Sequence, residues 1–482
     1  MILLWMVLIP LVGAVLVGAL GRKNAGFGLN IAVSGATFIA ACIMTLRMLN
    51  DGPFTAWHHE LFVDALNVFL VDLTAFVALT TSVFSRTYMR AEVRLGHLNP
   101  ARLGAYHAMY QIFIFAMLLA LTSNNIGVLW MAMEGATLST ALLISVYRTP
   151  AGLEAAWKYF ILCGVGIALA LLGTILIYFA AHAALGAHGA LLWTRLYGAR
   201  DHLDPAIITI AFVFLIVGYG TKVGLVPFHA WLPDAHAEGP TPISAVLSGL
   251  LLNVALYAIV RFKALASGGS AAYWPGRLMV GFGLLSIVVG AFSLGGQRDV
   301  KRLFSYSSIE HMGLATFAFG LGGPLATFAA LLHMTAHSLT KSSVFFASGE
   351  VAQTAGTKDM DHITGIMDRN PVLGWVFLGS SLAIVGTPPF GIFASEFLIL
   401  IAAVHRAPWS VPILILALGV AFAAIFRRTQ AMVFGAADAP RVSTSISLLA
   451  PLAHLVLLVI LGLAIPPLLA AWYGEAAHLI GP

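Results

Sequence analysis

Four ionisable side chains lie inside long apolar stretches of the sequence: Glu134, Lys222, Lys341 and Glu396. Placing a charged group at the centre of a membrane helix costs about 2.5–3.5 kcal/mol on the insertion scale, so each of the four is a candidate for function. Acid, base, base and acid follow one another along the chain. Desolvation and nearby charge act on such groups in opposite directions, so a small change in their neighbours can move a proton. The pattern predicts a proton relay.

A polar stripe accompanies one of these lysines. His333, His337 and Lys341 are spaced four residues apart, which places them on one face of a helix with a rise of about 12 Å from first to last. The stripe is typical of a proton path, although structural packing through buried hydrogen bonds is an alternative. A zinc site is a weaker interpretation of the two histidines, because no glutamate lies between them and no third ligand is evident nearby.

Four further side chains are secondary candidates for the same path. Glu310 and His311 lie about two turns into a segment that opens with basic residues. They either extend the path or pair with neighbouring side chains. Asp72 is an isolated acid in an apolar segment, and Lys158 stands at the head of another, from where its ammonium group can reach the membrane surface.

The composition identifies the elements that must hold these groups. Of the 482 residues, 60% are hydrophobic and 9% are charged, against about 25% charged in soluble domains. A soluble enzyme and a disordered chain are therefore excluded. A spanning helix needs about 20 apolar residues, and windows of this kind predict an all-α integral membrane protein with about fourteen transmembrane helices. The windows are 2–20, 27–49, 62–86, 106–122, 125–147, 153–182, 205–227, 240–262, 274–293, 299–320, 325–349, 372–404, 410–434 and 444–472.

Two of these segments contain matched interruptions. Pro227 breaks the seventh segment, and Pro388 and Pro389 break the twelfth. Simple proline kinks are one explanation. Paired breaks in corresponding segments are, however, typical of transport sites, because unwound backbone at membrane depth must line a cavity or be buried in protein. The spacing predicts two copies of a five-helix unit within one membrane domain. The predicted division is an N-terminal three-helix segment at 1–105, repeats at 106–264 and 274–435, and a C-terminal helix at 444–482.

Charge placement predicts the orientation. An even number of spans puts both termini on one side of the membrane. Most of the 25 Lys and Arg residues flank the predicted helix ends on the opposite side of the membrane, including Arg22, Lys23 and Arg441. Because basic residues favour the inside, we expect both termini outside a bacterial-type inner (cell) membrane.

No cofactor, metal or nucleic acid is expected. Cys42 and Cys163 lie in apolar runs with no CxxC or Cys/His spacing around them, which argues against zinc and iron–sulfur sites. Phosphate-binding glycine motifs are absent from plausible loops. The net charge of +5 is scattered along the chain, and membrane topology explains it better than nucleic-acid binding does.

Several longer motifs carry a resemblance to a known family. They are KYF at 158–160, GYGTKVGLVPFHAWLPDAHAEGPTPISA at 218–245, DVKRLFSYSSIEHMG at 299–313, HMTAHSLTKS at 333–342 and GTPPFGIFASEF at 386–397. With them the sequence resembles the antiporter-like proton-translocating membrane subunits of complex I (chains L, M and N), Mrp antiporters and group 4 hydrogenases. SYSSIEHMG, together with Asn253 in SGLLLNVALY, is more similar to component F of hydrogenase-4 than to chains M or N.

The resemblance implies an architecture and roles. It implies fourteen core helices in two inverted five-helix repeats, with broken helices 7 and 12 and a hydrophilic axis. Glu134 matches the fifth-helix glutamate and Lys222 the seventh-helix lysine, a pair thought to gate proton uptake. Lys341 with its two histidines matches the eleventh-helix relay, and Glu396 occupies the twelfth-helix position.

One helix departs from the family pattern. Members usually place Lys or His in the eighth helix, whereas this sequence has Ser248 and Asn253 at the candidate positions. Neither side chain carries a proton as a stable cation. Either water bridges Lys222 and Lys341, or conduction through this copy is slow or lost.

The function we expect is proton translocation by an antiporter-like membrane subunit of a multi-subunit hydrogenase-4 or NADH-quinone oxidoreductase-like complex. Redox chemistry would occur in hydrogenase-like and iron–sulfur soluble subunits. Other antiporter-like subunits and a membrane arm of small helical subunits would be its partners in the bilayer. The alternatives are an ion antiporter, an inorganic-carbon uptake subunit without electron transfer, or a non-conducting scaffold.

Overall fold

A computed structural model describes residues 1–20, 25–268, 273–436 and 448–481. Their secondary structure is helical except for one short hairpin, which the sequence did not predict. The elements are α1 (Ile2–Leu20), α2 (Ala25–Asp51), β1 (Phe54–Ala56), β2 (Leu61–Val63), α3 (Val68–Arg94), α4 (Leu103–Thr122), α5 (Ile126–Ile144), α6 (Pro150–Gly189), α7 (Trp193–Ala199), α8 (Pro205–Val223), α9 (Leu232–Glu238), α10 (Thr241–Val246), α11 (Leu252–Ala266), α12 (Tyr273–Leu294), α13 (Val300–Leu321), α14 (Gly323–Ala355), α15 (Ile366–Arg369), α16 (Pro371–Ile384), α17 (Gly391–Arg406), α18 (Val411–Phe434), α19 (Leu449–Leu463) and α20 (Pro467–Ile480).

The long helices begin where side chains satisfy their first backbone N–H groups. The carboxylates of Asp204 and Asp299 and the amide oxygen of Asn125 each accept from two N–H groups of the turn that follows. The side chain of Thr149 accepts from one N–H group in the first turn of α6, and a proline occupies the first position of that helix. In the described part of the chain, ten helical stretches are long and apolar enough to cross a membrane. The predicted multi-pass membrane fold is confirmed at this level.

The seventh predicted segment is interrupted earlier than Pro227. Helix α8 ends at Val223, where Gly224 adopts a left-handed conformation (φ 81°) and closes the helix. A 3₁₀ turn at Phe228–Trp231 then leads into α9. Glycine fits this cap because a side chain would be strained there and would meet Leu232.

The twelfth predicted segment consists of two helices. Helix α16 ends at Ile384 and α17 starts at Gly391, and both prolines lie in the connection. The peptide bonds Val226–Pro227 and Pro388–Pro389 are both cis.

The eighth predicted segment contains a π-helical turn. Leu247–Leu251 widens the helix between α10 and α11, and the whole stretch from Thr241 to Ala266 is buried. Ser248 lies in this turn, and Asn253 follows it by two residues. Single π-turns are frequent at functional sites, which draws attention to the helix that departs from the family pattern.

The last predicted segment is divided. Helices α19 and α20 meet at a 71° bend between Leu463 and Pro467, so the C-terminal stretch is two helices where one was predicted. The first residues of that prediction, 444–447, lie outside the described residues. So do Arg22, Lys23 and Arg441, which entered the orientation argument.

The helix ends gather at two faces. At the hairpin end, isolated backbone bridges join Leu61 to Ser123 and Asn125 to Leu192. At the opposite end, which we call the basic end, Asp234 pairs with basic residues of α6 and α13, and α14 is followed by Lys358, whose ammonium donates to the backbone of α9. The candidate site lies between these faces.

Candidate functional site

Lys222 and Glu134 are joined through a hydroxyl. Lys222 is fully buried in the last turn of α8, where the carbonyl end of the helix favours a positive charge. Its ammonium donates to Thr137 Oγ1 on α5. Thr137 Oγ1 lies 3.2 Å from Glu134 Oε2 and 3.1 Å from the Met133 carbonyl, to either of which it can donate. The predicted acid–base pair is thus a lysine–threonine–glutamate chain.

Aromatic and hydroxyl groups close this cluster from the side of α6. The ring centroid of Tyr159 lies 5.6 Å from Lys222 Nζ, and the Tyr159 hydroxyl is 2.6 Å from Thr140 Oγ1. The side chain of Glu134 is partly exposed at the protein surface, whereas that of Lys222 has no exposed surface. The carboxylate can therefore receive a proton from outside the cluster and pass it inward.

Lys341 forms a second cluster at the centre of the chain. Its ammonium donates to the Phe304 carbonyl at 2.9 Å and to Ser307 Oγ at 2.8 Å, both on α13. Glu310, buried one turn further along α13, is the carboxylate whose charge acts on Lys341. Glu310 therefore belongs to the environment of Lys341.

Ser248 and Asn253 are engaged differently from each other. Ser248 Oγ lies 2.7 Å from Ser308 Oγ, one residue from the serine that binds Lys341. Asn253 Nδ2 donates to the Met334 carbonyl and to Ser338 Oγ, each at 2.8 Å, and so ties α11 to α14. Ser248 thus borders the Lys341 cluster, whereas the amide of Asn253 is committed to helix packing.

Three histidines make up a third cluster. His311 on α13 and His333 on α14 have ring nitrogens 3.2 Å apart, and the centroid of His337 lies 5.9 Å from that of His311. The other nitrogen of His311 is 2.9 Å from the Ile384 carbonyl at the end of α16. The other nitrogen of His333 is 2.9 Å from Ser395 Oγ on α17. Both nitrogens of His333 are therefore used in hydrogen bonds.

The hydrogen bonds of this cluster have one consistent direction when both rings are neutral. A carbonyl can only accept, so His311 Nε2 carries its proton and donates to Ile384. His333 Nε2–H then donates to His311 Nδ1. The Ser395 hydroxyl, which lies 2.9 Å from His333 Nδ1 and 2.8 Å from the Ile392 carbonyl, donates to His333 in this arrangement. The hydrogen-bond partners thus determine which ring nitrogen of each histidine carries the proton. The direction of the hydrogen bonds in such a chain reverses when a proton enters at one end and another proton leaves at the other end.

Glu396 lies where this chain meets the second helix break. Its Oε1 is 3.8 Å from His311 Nδ1. Its other oxygen lies against Gly386, where a Cβ atom would overlap it. Gly386 has φ 68°, so both its conformation and its missing side chain make room for the carboxylate. The break thus positions the glutamate beside the histidines.

Two buried histidines in range of Lys341 have unused ring nitrogens. In the described residues, neither ring nitrogen of His337 or of His236 has a hydrogen-bond partner. His236 on α9 stacks on Phe345 at 4.9 Å and lies within range of the charges of Lys301 and Lys341. Buried polar groups are normally hydrogen-bonded, so both histidines are suited to bind water inside the protein.

Two secondary candidates lie away from these clusters. Lys158 is 39% exposed at the basic end, where Asp234 accepts from it at 2.5 Å and from Arg302 at 2.7 Å. This carboxylate ties α9 to α6 and α13. Asp72 accepts from Thr45 at 2.7 Å between α3 and α2. Of the twelve predicted residues, the structure therefore places ten, including the two lysines, in or beside the clusters and leaves these two outside.

Sequence reasoning missed two residues of the site. Thr137 lies three residues after Glu134, and this spacing on a helix was an available signal. His236 lies inside the long motif around Pro227, but no period or neighbour in the sequence distinguished it from a packed histidine.

The comparison with protein families decides the identity. The family described as NADH:quinone oxidoreductase/Mrp antiporter, transmembrane, matches residues 123–426. The chain belongs to this family. All three clusters lie within the matched region, and the membership inferred from the motifs is confirmed.

Proteins with known names or structures match along almost the whole chain. The chain is 46% identical over 478 residues to a hydrogenase-4 component F homolog of Methylacidiphilum infernorum, covering 98% of both. A chain of an archaeal membrane-bound sulfane sulfur reductase superposes with a TM-score of 0.89 at 23% identity, covering 99% of this chain and 97% of that one. A chain of the Mrp complex of Dietzia superposes with a TM-score of 0.85 at 18% identity, with the same coverage. At these identities the two structures establish the fold.

Proposed function

We propose that this chain is the proton-translocating, antiporter-like membrane subunit of a multi-subunit hydrogenase-4 or NADH-quinone oxidoreductase-like complex. The observation that carries the proposal is the placement of Lys222 and Lys341. Both are fully buried in a membrane protein, each is held by hydroxyl or carbonyl oxygens, and each lies within range of a carboxylate. Placing an ionisable group inside a membrane is energetically unfavourable, and the groups found there commonly mark ion pathways.

The proposed path runs through the three clusters in turn. A proton enters at Glu134, crosses Thr137 to Lys222, and reaches Lys341 through water bound near Ser248. From Lys341 it passes to the histidines and then to Glu396. We place water between the two lysines because their hydrogen-bond partners differ: both oxygens that hold Lys341 lie on α13, whereas Lys222 bonds to α5. Buried water with two to four polar partners is common in proteins.

The finer architecture is also a proposal. We infer fourteen transmembrane helices, with inverted repeats at 106–264 and 274–435, the remainder forming the segments at 1–105 and 444–482. The interrupted helices support this division, because each break lies beside a buried charge: Lys222 at the first and Glu396 at the second. We place the basic end inside the cell and both termini outside.

The proposed partners are other membrane subunits and soluble hydrogenase-like and iron–sulfur subunits. The names of the relatives support them, since one is a hydrogenase-4 component homolog and two belong to membrane complexes. The test is to isolate the chain from its native membrane under mild detergent and identify what accompanies it. Iron–sulfur and hydrogenase-like subunits would support the proposal. A single large zinc-containing soluble partner would instead favour inorganic-carbon uptake, and isolation without redox subunits would favour an ion antiporter.

Thr137 offers a test of the entry cluster. Replacing Thr137 with valine keeps the volume but removes the hydroxyl between Lys222 and Glu134, so we expect proton translocation through this subunit to slow by about tenfold or more. Thr137→Ser keeps the hydroxyl and should retain translocation. The measurement is the initial rate of acidification of proteoliposomes that contain the assembled complex. Equal rates for the valine and serine variants would show that the hydroxyl has no part in the path.

A further inference from the structure

A polar cavity opens at the basic end, beside the turn that follows α9. It has a volume of about 470 Å³, which is space for on the order of ten water molecules at about 30 Å³ each. Lys358 and Glu238 line this cavity and pair at 3.5 Å, and their side chains are 42% and 27% exposed. The cavity is therefore accessible to solvent at this end of the chain.

Hydrogen-bonding side chains line the cavity. The hydroxyl of Thr241 donates to that of Tyr88 at 3.0 Å. One oxygen of Glu92 accepts from the amide of Gln353 at 2.7 Å, and the other lies 3.2 Å from a ring nitrogen of His97. Water inside a protein needs two to four polar partners. This lining supplies such partners, so the cavity is suited to hold water.

A buried lysine faces the cavity from within the protein. Lys301 lines the cavity, is 4% exposed and donates to the Gly239 carbonyl at 2.5 Å. Desolvation opposes the positive charge of this lysine, whereas carboxylates within range support it. Four charged groups act on Lys301, and three of them are carboxylates: Glu92, Glu238, Asp299 and Lys358. Water in the cavity adds to the solvation of the ammonium group.

His236 connects the cavity to the Lys341 cluster. The three residues that follow it in the chain, 237–239, line the cavity. His236 itself is fully buried, and among the described residues neither of its ring nitrogens has a hydrogen-bond partner. The charges of Lys301 and Lys341 both act on it. Water that enters the cavity can therefore reach the surroundings of Lys341 by binding to this ring.

A route for water into the protein carries a risk for the proposed proton path. That path has water between Lys222 and Lys341, and this water must come from somewhere. A route that also admitted protons would let them reach Lys341 without passing Lys222. A positive charge repels a hydronium ion but not a neutral water molecule, and fixed positive groups exclude protons from water-filled pores in this way.

We propose that this cavity is the water port of the Lys341 cluster and that Lys301 is its filter, which admits water and repels protons. The inference rests on the proposed function, because only a proton path needs a lysine that is both hydrated and protected. Lys301 itself passes no proton and acts through its charge.

The water port is tested by hydroxyl-radical footprinting of the full-length protein in detergent, with oxidation of each peptide measured by mass spectrometry. His236 and His454 are both fully buried, but the ring nitrogens of His454 lie 2.9 Å from Thr80 Oγ1 and 3.1 Å from the Leu339 carbonyl. We expect His236 to be oxidised several-fold faster than His454, because the radicals form in water beside the side chain.

A cavity-filling variant completes this test. Ala352 is partly exposed in the lining, and Ala352→Trp should reduce the oxidation of His236 to the level of His454. Equal oxidation of the two histidines in the unmodified protein would refute the water port. So would fast oxidation of His236 that persists in Ala352→Trp. If this variant does not fold, the comparison of the two histidines in the unmodified protein decides.

The filter is tested by the passive proton leak of proteoliposomes that contain the assembled complex without an electron donor. Lys301→Met should raise the leak at least about tenfold, the scale on which one unit charge acts at the effective dielectric constant of a protein. Lys301→Arg keeps the charge and should stay tight. Lys358→Met removes a half-exposed lysine from the same lining and is the matched control, because solvent screens its charge. Adding Lys341→Ala to Lys301→Met should close the leak again.

The results separate failure of the filter from failure of the proposed function. An unchanged leak in Lys301→Met would refute the filter. If Lys222→Ala nevertheless lowers the proton-to-electron ratio, the proposed function stands; if it does not, both fail. Equal leaks in Lys301→Met and Lys301→Arg would show that packing, not charge, holds protons back. If Lys301→Met does not assemble, Lys301→Gln, which keeps a donor for the Gly239 carbonyl, takes its place. Footprinting of His236 decides the water port in every case, because it requires no translocation.

Discussion

Replacing Lys222 by alanine is expected to slow proton translocation through this subunit by about 100-fold or more, the scale associated with removing a positioned proton-transfer group. Lys222 is the buried base to which the Glu134–Thr137 chain leads, and methyl groups cannot relay a proton. The measurement is the proton-to-electron ratio of the assembled complex in proteoliposomes, followed with a trapped pH indicator. The ratio should fall by the share that this subunit contributes.

A matched lysine controls for the loss of a positive charge. Lys358 is half-exposed at the basic end, where it donates to the Ala237 carbonyl at 2.7 Å, and Lys358→Ala should leave the ratio unchanged. The axis would be refuted if Lys222→Ala also left it unchanged while the complex stayed assembled. If the ratio survived replacement of Lys341 as well, the chain would be a scaffold rather than a conductor.

The sequence predicted the main charged residues of the site because the physics behind them is one-dimensional. A lysine or glutamate in an apolar run is visible without a structure, since its cost depends on the run itself. The stripe of His333, His337 and Lys341 follows from helical spacing in the same way. The membrane fold is predictable for the same reason, because each spanning helix satisfies its own backbone hydrogen bonds.

The contacts between helices could not be predicted, because they depend on packing that no local pattern encodes. His311 and His333 are 22 residues apart in sequence, and nothing in either segment indicates that their rings meet. Asp234 was not selected, although it holds α6 and α13 together, because its partners lie 76 and 68 residues away. The π-turn that contains Ser248 likewise has no simple sequence signal.

Arg261 is the residue for which position in sequence was most misleading. It lies near the end of a predicted segment, where a basic residue normally marks the membrane surface, but its side chain is 3% exposed and pairs with Asp64 through two hydrogen bonds of 2.6 and 2.7 Å. Its Nε donates to the Tyr257 hydroxyl at 2.8 Å, and its guanidinium lies 4.4 Å from the ring centroid of Trp193. One arginine thereby joins α11 to the start of α3 and to α7.

Removing that arginine should therefore destabilise the protein strongly. Breaking a buried ion pair leaves the remaining charge without a partner, and we expect Arg261→Met to lower the free energy of unfolding by about 3–5 kcal/mol. The measurement is unfolding of the purified protein by titration with denaturing detergent in mixed micelles. The exposed pair of Arg47 and Asp51, at 3.3 Å, is the control. Its loss in Arg47→Met should cost about 0–1 kcal/mol.

A double variant separates the stranded charge from lost packing. Asp64 also accepts from the backbone N–H groups of Leu66 and Asn67, and Asp64→Asn keeps an oxygen for them while removing the charge. Combined with Arg261→Met, it should recover more than half of the lost stability, because no unpaired carboxylate then remains buried. If the double variant were no more stable than Arg261→Met, the role of Arg261 would be packing against Trp193 and Tyr257. An effect of Arg261→Met as small as that of Arg47→Met would show that Asp64 reaches water when its partner is lost.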